Sequence, residues 1–436
     1  MKILRAGLCV LLAFAVLAHG AVEVWSESIA EIAAGLLLAF WLSLALFNRV
    51  PEIRWNPLNW PLLAFLSIGL VQLLVRITAY PFLTRTELLR AGACWIVFFL
   101  ATQAFRTRGE LQMLAWFLVL FCFAVSLFAI VQYFTSGDEL YWFRPVTAGI
   151  KPFGPYVNRN HFGGFIELTL PTGLAMLILR GVRRDQMPFL AVLTIVPISA
   201  VVLSSSRGGI IGVVVEIFLL MAFRFSTKGA EKIRLTPIAA VIAATILLIG
   251  WVGASNAMER FFPGNANGVS FARRASMVHG ALDVFLAHPF SGSGLGTIVA
   301  VYPRYETMYD GKLVDHVHND YAEALAETGI LGAACGVVFL FFLFRDGRRN
   351  FAADQGQFSR ALHCGAIAAV VGLLLHSFVD FNLHIFSNAM LFLVQAFLVT
   401  SPPVPSGASV RGADSSVSFA PEMGTGSESR RRRRRR

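Results

Sequence analysis

Asp315-His316-Val317-His318-Asn319-Asp320 puts two imidazoles, two carboxylates and an amide within one short stretch, the sharpest polar cluster in the chain. A histidine that is neutral near pH 7 suits the work of a general base on a hydroxyl. Two histidines with two aspartates also invite a metal ion. Ligand sets draw on several segments, however, and no His-x-x-x-His or carboxylate pair completes one here, so no metal site is expected. His318 is the candidate base. The plain alternative is a histidine that caps a helix at a membrane surface.

Two arginines suit an anion. Arg207 stands in Leu203-Ser-Ser-Ser-Arg-Gly-Gly. Its glycines allow close backbone approach, and a helix beginning there aims free N–H groups outward. Hydroxyls, amides and a guanidinium together make a phosphate cradle; a tight turn with an interfacial anchor would use the same residues. Arg274 lies beside Arg273 at the start of a helical pattern, Arg274 to Leu286, with Met277, Val278, Ala281, Leu282 and Phe285 on one face.

Further polar residues cluster nearby. Asn158 and Asn160 precede a long apolar run, after a loop whose aromatics (Tyr141, Trp142, Phe143, Tyr156) fit sugar contacts or a membrane-interface belt. Glu167 falls inside that run, where a lipid-facing carboxylate is costly, so it should meet a partner or a cavity. Gly292, Gly294 and Gly296 form a flexible turn, and Glu323 and Glu327 sit four apart in an amphipathic helix after it. His376, Asp380, Asn382 and His384 end another apolar run. They face the same cavity as His318 or form a hydrogen-bond network between helices.

The elements that must hold these groups are membrane spans. Of 436 residues 56% are hydrophobic and only 14% charged, with a mean hydropathy of +0.65. That balance excludes a soluble domain of this size. About twelve apolar runs approach the ~20 residues that cross a bilayer, which makes the chain an all-α, polytopic membrane protein. The expected organisation is helices 1–9 over 1–254, a large loop over 255–320, helices 10–12 over 321–402, and a disordered basic tail over 403–436. The first run, preceded by Lys2 and Arg5, resembles a signal peptide but lacks a cleavage context, so it reads as a retained anchor.

Alternate short loops carry Lys2 and Arg5, Arg49 and Arg54, Arg106 and Arg108, Arg180, Arg183 and Arg184, and a further basic set after each of two later runs. Both termini are therefore expected in the cytoplasm and the large loop outside, in the periplasm of a two-membrane cell. The five cysteines fall in apolar runs and read as small core residues. The net charge of +11 follows from these loops and from seven terminal arginines, and nucleic acid is not an expected partner.

In order, NRNHFGGFIELTLP, SSSRGG, RASMVHGALDVFLAHPFSGSGLG, HNDYAEALAETGILG and HSFVDFNL resemble the O-antigen ligase and O-antigen polymerase superfamily, over about 158 to 383. One departure is Val278, where the family's loop helix usually carries a tryptophan. The resemblance implies a metal- and cofactor-independent glycosyltransferase of the bacterial inner membrane. It would move a glycan from undecaprenyl pyrophosphate to an acceptor hydroxyl at the periplasmic face. His318 would deprotonate the acceptor, and Arg207 and Arg274 would hold the pyrophosphate. Asn158, Asn160, Asn319, Tyr321 and Asp380 are supporting residues. The acceptor would be lipid A-core for a ligase, a second carrier-linked glycan for a polymerase, or a protein hydroxyl for a glycosylase. A small-anion transporter is the reading from another class; the two halves show no internal repeat of the kind such folds carry.

Overall fold

The computed structural model describes residues 1–137, 139–146, 152–226, 271–309, 311–353 and 356–403. Among these the protein is all helical, with no strand, and eight helices are long and apolar enough to cross a membrane. The helices are α1 (Lys2–Leu17), α2 (Val24–Leu46), α3 (Asn59–Leu74), α4 (Pro81–Ala104), α5 (Arg108–Thr135) and α6 (Arg159–Ile178). Then come α7 (Met187–Ser204), α8 (Arg207–Ser226), α9 (Phe271–Ala287), α10 (Asp320–Ala353), α11 (Gln357–His376) and α12 (Phe386–Thr400). The protein is a multi-pass membrane protein. Residues 227–254 at the end of the expected helices 1–9, the loop from 255 to 270 and the tail from 404 onward lie outside the described residues.

The hub is α6, which packs against α5, α7, α8, α11 and α12. Small residues let its neighbours approach: a Cβ on Gly209 of α8 would lie 2.9 Å from the Gly163 Cα of α6. Where lipid supplies no hydrophobic drive between helices, such close backbone packing holds them together. Glu167 of α6 is fully buried and meets His376 Nδ1 of α11 at 3.0 Å, which satisfies the expectation of a partner. Tyr156, just before α6, is also fully buried and bonded to Ser387 and Asn388, so it serves neither sugar nor interface.

A second, smaller core lies outside the bundle. It joins Met277, Ala281 and Val284 of α9, Ile298, Val301 and Tyr302, and Val314, Val317, Ala322 and Ala326. The last two belong to α10, so the folded unit runs past residue 320, where the loop was expected to end. The buried stripe on α9 is also rotated from the expected one. Leu282, expected on the buried face, is 40% exposed and Val284 is buried instead, while Arg273 shares the inner face with Met277 and Ala281.

Between this unit and the membrane portion of α10 the helix breaks at Gly329 (φ 62°, ψ −160°). Only glycine adopts that conformation readily, and a Cβ there would meet the Phe290 carbonyl oxygen at 2.4 Å. The break lets the Ile330 and Leu331 amides bond Pro289 and Phe290. Gly329→Ala is expected to cost about 2–3 kcal/mol or more, seen as a lowered thermal midpoint in detergent. Gly336→Ala, about two turns further along and with open space at its Cβ, should be neutral or slightly stabilising.

Candidate active site

His318 sits in the turn before α10 with a left-handed backbone, φ 53°. Strain of this kind persists only where the surroundings hold it. What holds it is Asp380, fully buried after α11, whose Oδ1 lies 3.1 Å from His318 Nδ1. Asp380 Oδ1 also accepts the Phe381 amide at 3.0 Å, and its Oδ2 accepts from the Asn160 side-chain amide. Burial pushes the Asp380 carboxyl up, but the hydrogen bond from His318 and the neighbouring imidazoles outweigh it and keep the group well below the usual carboxylate range. An ionised Asp380 can only accept, so the proton on His318 sits at Nδ1 and the lone pair at Nε2.

The chain of contacts continues into the serine–arginine segment. Asn160 Oδ1 accepts from Ser206 Oγ at 3.1 Å, and Ser206 Oγ accepts the Gly209 amide at 3.2 Å. Ser205 adopts a left-handed conformation at the end of α7, which turns the chain sharply into α8. Arg207 opens α8 and is exposed at its N-terminus. Four elements thus converge: the turn before α10, the segment after α11, and the N-termini of α6 and α8.

The paired arginines separate clearly. Arg273 is 4% exposed and bonded to Glu306 Oε1 at 2.6 Å. Arg274, about 100° around the helix, donates from Nη1 to the Val379 carbonyl at 2.7 Å. Val379 is the residue before Asp380, so Arg274 belongs to the His318 neighbourhood and Arg273 to the core of the outer unit.

Other expected residues have structural partners. Asn158 caps α6 by accepting the Asn160 amide at 2.9 Å. Asn319 accepts the Ala322 amide at 2.9 Å and donates to Phe378 O at 3.0 Å, while the Tyr321 hydroxyl donates to Leu374 O at 2.6 Å. These tie the start of α10 to the end of α11. The four polar groups after α11 do not converge on His318: only Asp380 reaches it. His376 pairs with Glu167 inside the bundle, Asn382 meets Asn388, and His384 Nδ1 meets Asp320 at 2.7 Å. Burial pulls His384 down, yet Glu323 and Asp320 outweigh it and push it up to about 10.

Residues 190–337 match the family model described as O-antigen ligase. The match covers about a third of the chain, and that stretch is similar to O-antigen ligases. Among curated proteins, none matches the chain. The matched stretch contains Arg207, Arg274 and His318 but ends before Asp380 and begins after Asn160. Sequence reasoning missed Ser206 as the link between Arg207 and His318. Its only signal was the run of three serines beside the arginine.

Proposed function

We propose that the protein transfers a glycan from undecaprenyl pyrophosphate to an acceptor hydroxyl at the outer face of the bacterial inner membrane, with both termini in the cytoplasm. The observation that carries this reading is the His318–Asp380 pair, which leaves the His318 Nε2 lone pair free, with Arg274 bonded to the carbonyl of Val379, the residue before Asp380. Nε2 takes the proton of the acceptor hydroxyl as its oxygen attacks the anomeric carbon. The bond from that carbon to the pyrophosphate oxygen breaks, and the leaving diphosphate carries away the electron pair. Arg207 and Arg274 stabilise that growing charge, Arg207 from its exposed place at the N-terminus of α8. No metal ion acts on the diphosphate in this scheme.

The deciding assay offers purified protein an undecaprenyl-pyrophosphate oligosaccharide with lipid A-core or a second carrier-linked unit. Transfer to the core makes it a ligase and growth of carrier-linked chains a polymerase. An intact donor with folded protein in both arms overturns the proposal. In the same assay Arg274→Gln is expected to lower kcat by about 100-fold or more with little change in thermal midpoint. Arg273→Gln should do the reverse, because it strands the Glu306 carboxylate, only 11% exposed, at a cost of about 1–3 kcal/mol.

A further inference from the structure

Phe381 separates two imidazole environments. His318 meets the ring edge-on, with centroids 4.9 Å apart, and His316 stacks on it at 4.4 Å. On the His316 side three segments contribute a second constellation: His316 from the turn before α10, Glu323 from the first turn of α10, and His384 from the short helical turn Asn382–His384. His316 Nδ1 lies 2.6 Å and His384 Nε2 3.4 Å from the same oxygen, Glu323 Oε1. All three donor atoms fall within 4.8 Å of one another.

Two features distinguish this cluster from an ordinary hydrogen-bond network. The first is the orientation of His384. Its Nδ1 is held by Asp320 Oδ1 at 2.7 Å, and Asp320 Oδ2 is in turn fixed by the Leu383 amide at 3.2 Å. That leaves Nε2 aimed at Glu323, as a carboxylate behind a metal-bound imidazole would arrange it. Glu323 is fixed as well, since its Oε2 accepts the Val317 amide at 3.0 Å.

The second feature is charge. Asp320, Glu323 and Glu327 are 3%, 1% and 1% exposed, and among the described residues the basic side chains bonded to the first two are these imidazoles. Glu327 is bonded to two backbone amides, those of Gly296 and Ile298. Buried carboxylates are neutralised, paired or bound to metal, and Asp320 and Glu323 are the two that a dication here would pair with.

We propose that His316, Glu323 and His384 bind a divalent transition-metal ion, zinc by the chemistry of the donors. Two imidazole nitrogens and one carboxylate oxygen leave a fourth position open. Zinc bonds of about 2.0–2.1 Å put tetrahedral donors about 3.3–3.4 Å apart. The Glu323–His384 separation already has that value, while His316 must draw back from Glu323 by less than about 1 Å and close on His384 from as far as 4.8 Å, a swing of the His316 side chain. The ion replaces the proton on His384 Nε2 and pins the turn that presents His318 to the segment after α11. It is a positioning site, apart from the proposed diphosphate clamp, and it stands or falls without the transfer reaction.

The test uses tag-free full-length protein in detergent, stripped with a chelator and reloaded with Zn(II) or Co(II). Elemental analysis after gel filtration should find about one equivalent of Zn(II) per chain, and Co(II) should give a visible d–d absorption. The double variant His316→Gln/His384→Gln should lose both signals, whereas His279→Gln, at an exposed position on α9, should keep them. Asp320→Asn is expected to weaken binding about 10- to 100-fold. Folded wild-type protein without bound Zn(II) and without a Co(II) band overturns the proposal, as does undiminished binding by the double variant. Should the double variant not fold, His316→Gln alone decides: a changed Co(II) spectrum supports the site and an unchanged one overturns it. Metal content is measured without donor or acceptor, so a failed transfer assay leaves this result intact.

Discussion

Asparagine in place of His318 is expected to lower kcat for glycan transfer by about 100- to 10,000-fold, the range a general base contributes. Asparagine is the informative replacement because it tolerates the left-handed backbone at this position (φ 53°) better than alanine. The buried Asp380 also keeps a donor, the side-chain amide, so the fold should survive. An acceptor hydroxyl near neutral pH is a poor nucleophile until its proton has somewhere to go, and the asparagine amide cannot take it. KM for the donor should change little, since the diphosphate is held by Arg207 and Arg274 in the proposed scheme. The measurements are initial rates at saturating donor, with gel-filtration profile and helical circular dichroism as controls. A folded variant with wild-type kcat would remove His318 from the mechanism.

Asp380→Asn is expected to cost nearly as much through a different route. In the wild type Oδ1 receives His318 and the Phe381 amide, while Oδ2 receives Asn160. An amide cannot accept on both sides. If its NH2 faces His318, the imidazole must accept at Nδ1 and carry its proton on Nε2, which disables the base. If its NH2 faces Asn160, two donors meet and the tie to Ser206 is lost. Either arrangement should lower kcat by about 100-fold or more and destabilise the fold by about 1–3 kcal/mol.

The stability loss should depend on pH in a fixed direction. The folded Asp380 carboxyl titrates below its unfolded value of about 3.9. Its stabilising contribution is therefore complete above that value and lost as pH falls through the folded one. Thermal midpoints of wild type and Asp380→Asn should differ most near pH 6–7 and converge as pH drops below about 4.

His318, Arg207 and Arg274 stand out in the sequence because of what surrounds them: a cluster of imidazoles and carboxylates, a serine–glycine segment, and the start of an amphipathic helical pattern. The all-helical membrane class was legible from composition alone. The partners were not. Asp380 stands 62 residues from His318, and nothing local says whether it or His376, one turn away, turns toward the site. The fold decides, because His376 falls on the α11 face that packs against α6 and finds Glu167 there. Arg273 and Arg274 were hard to separate for a similar reason. One residue is about 100° of helix rotation, and the buried stripe on α9 differs from the one that the apolar residues suggest. Asn158 and Asn319 look functional in sequence and act as helix caps, a role worth about 1 kcal/mol each.

The helix that organises the bundle is also the one a bilayer would accept least willingly by itself. Within α6 stand His161, Glu167, Thr169 and Thr172 along with three glycines and a proline, and 94% of its spanning window is covered by other parts of the protein. A single charged residue near the middle of an isolated span costs about 2.5–3.5 kcal/mol on insertion. The partner that relieves it, His376, is synthesised about 200 residues later. Biogenesis should accordingly keep α6 sheltered at the translocon or by an insertase until α11 has entered. A chain truncated before Gln357 should leave Glu167 unmatched and be cleared by membrane quality control, even though every residue assigned to the diphosphate clamp has already been made.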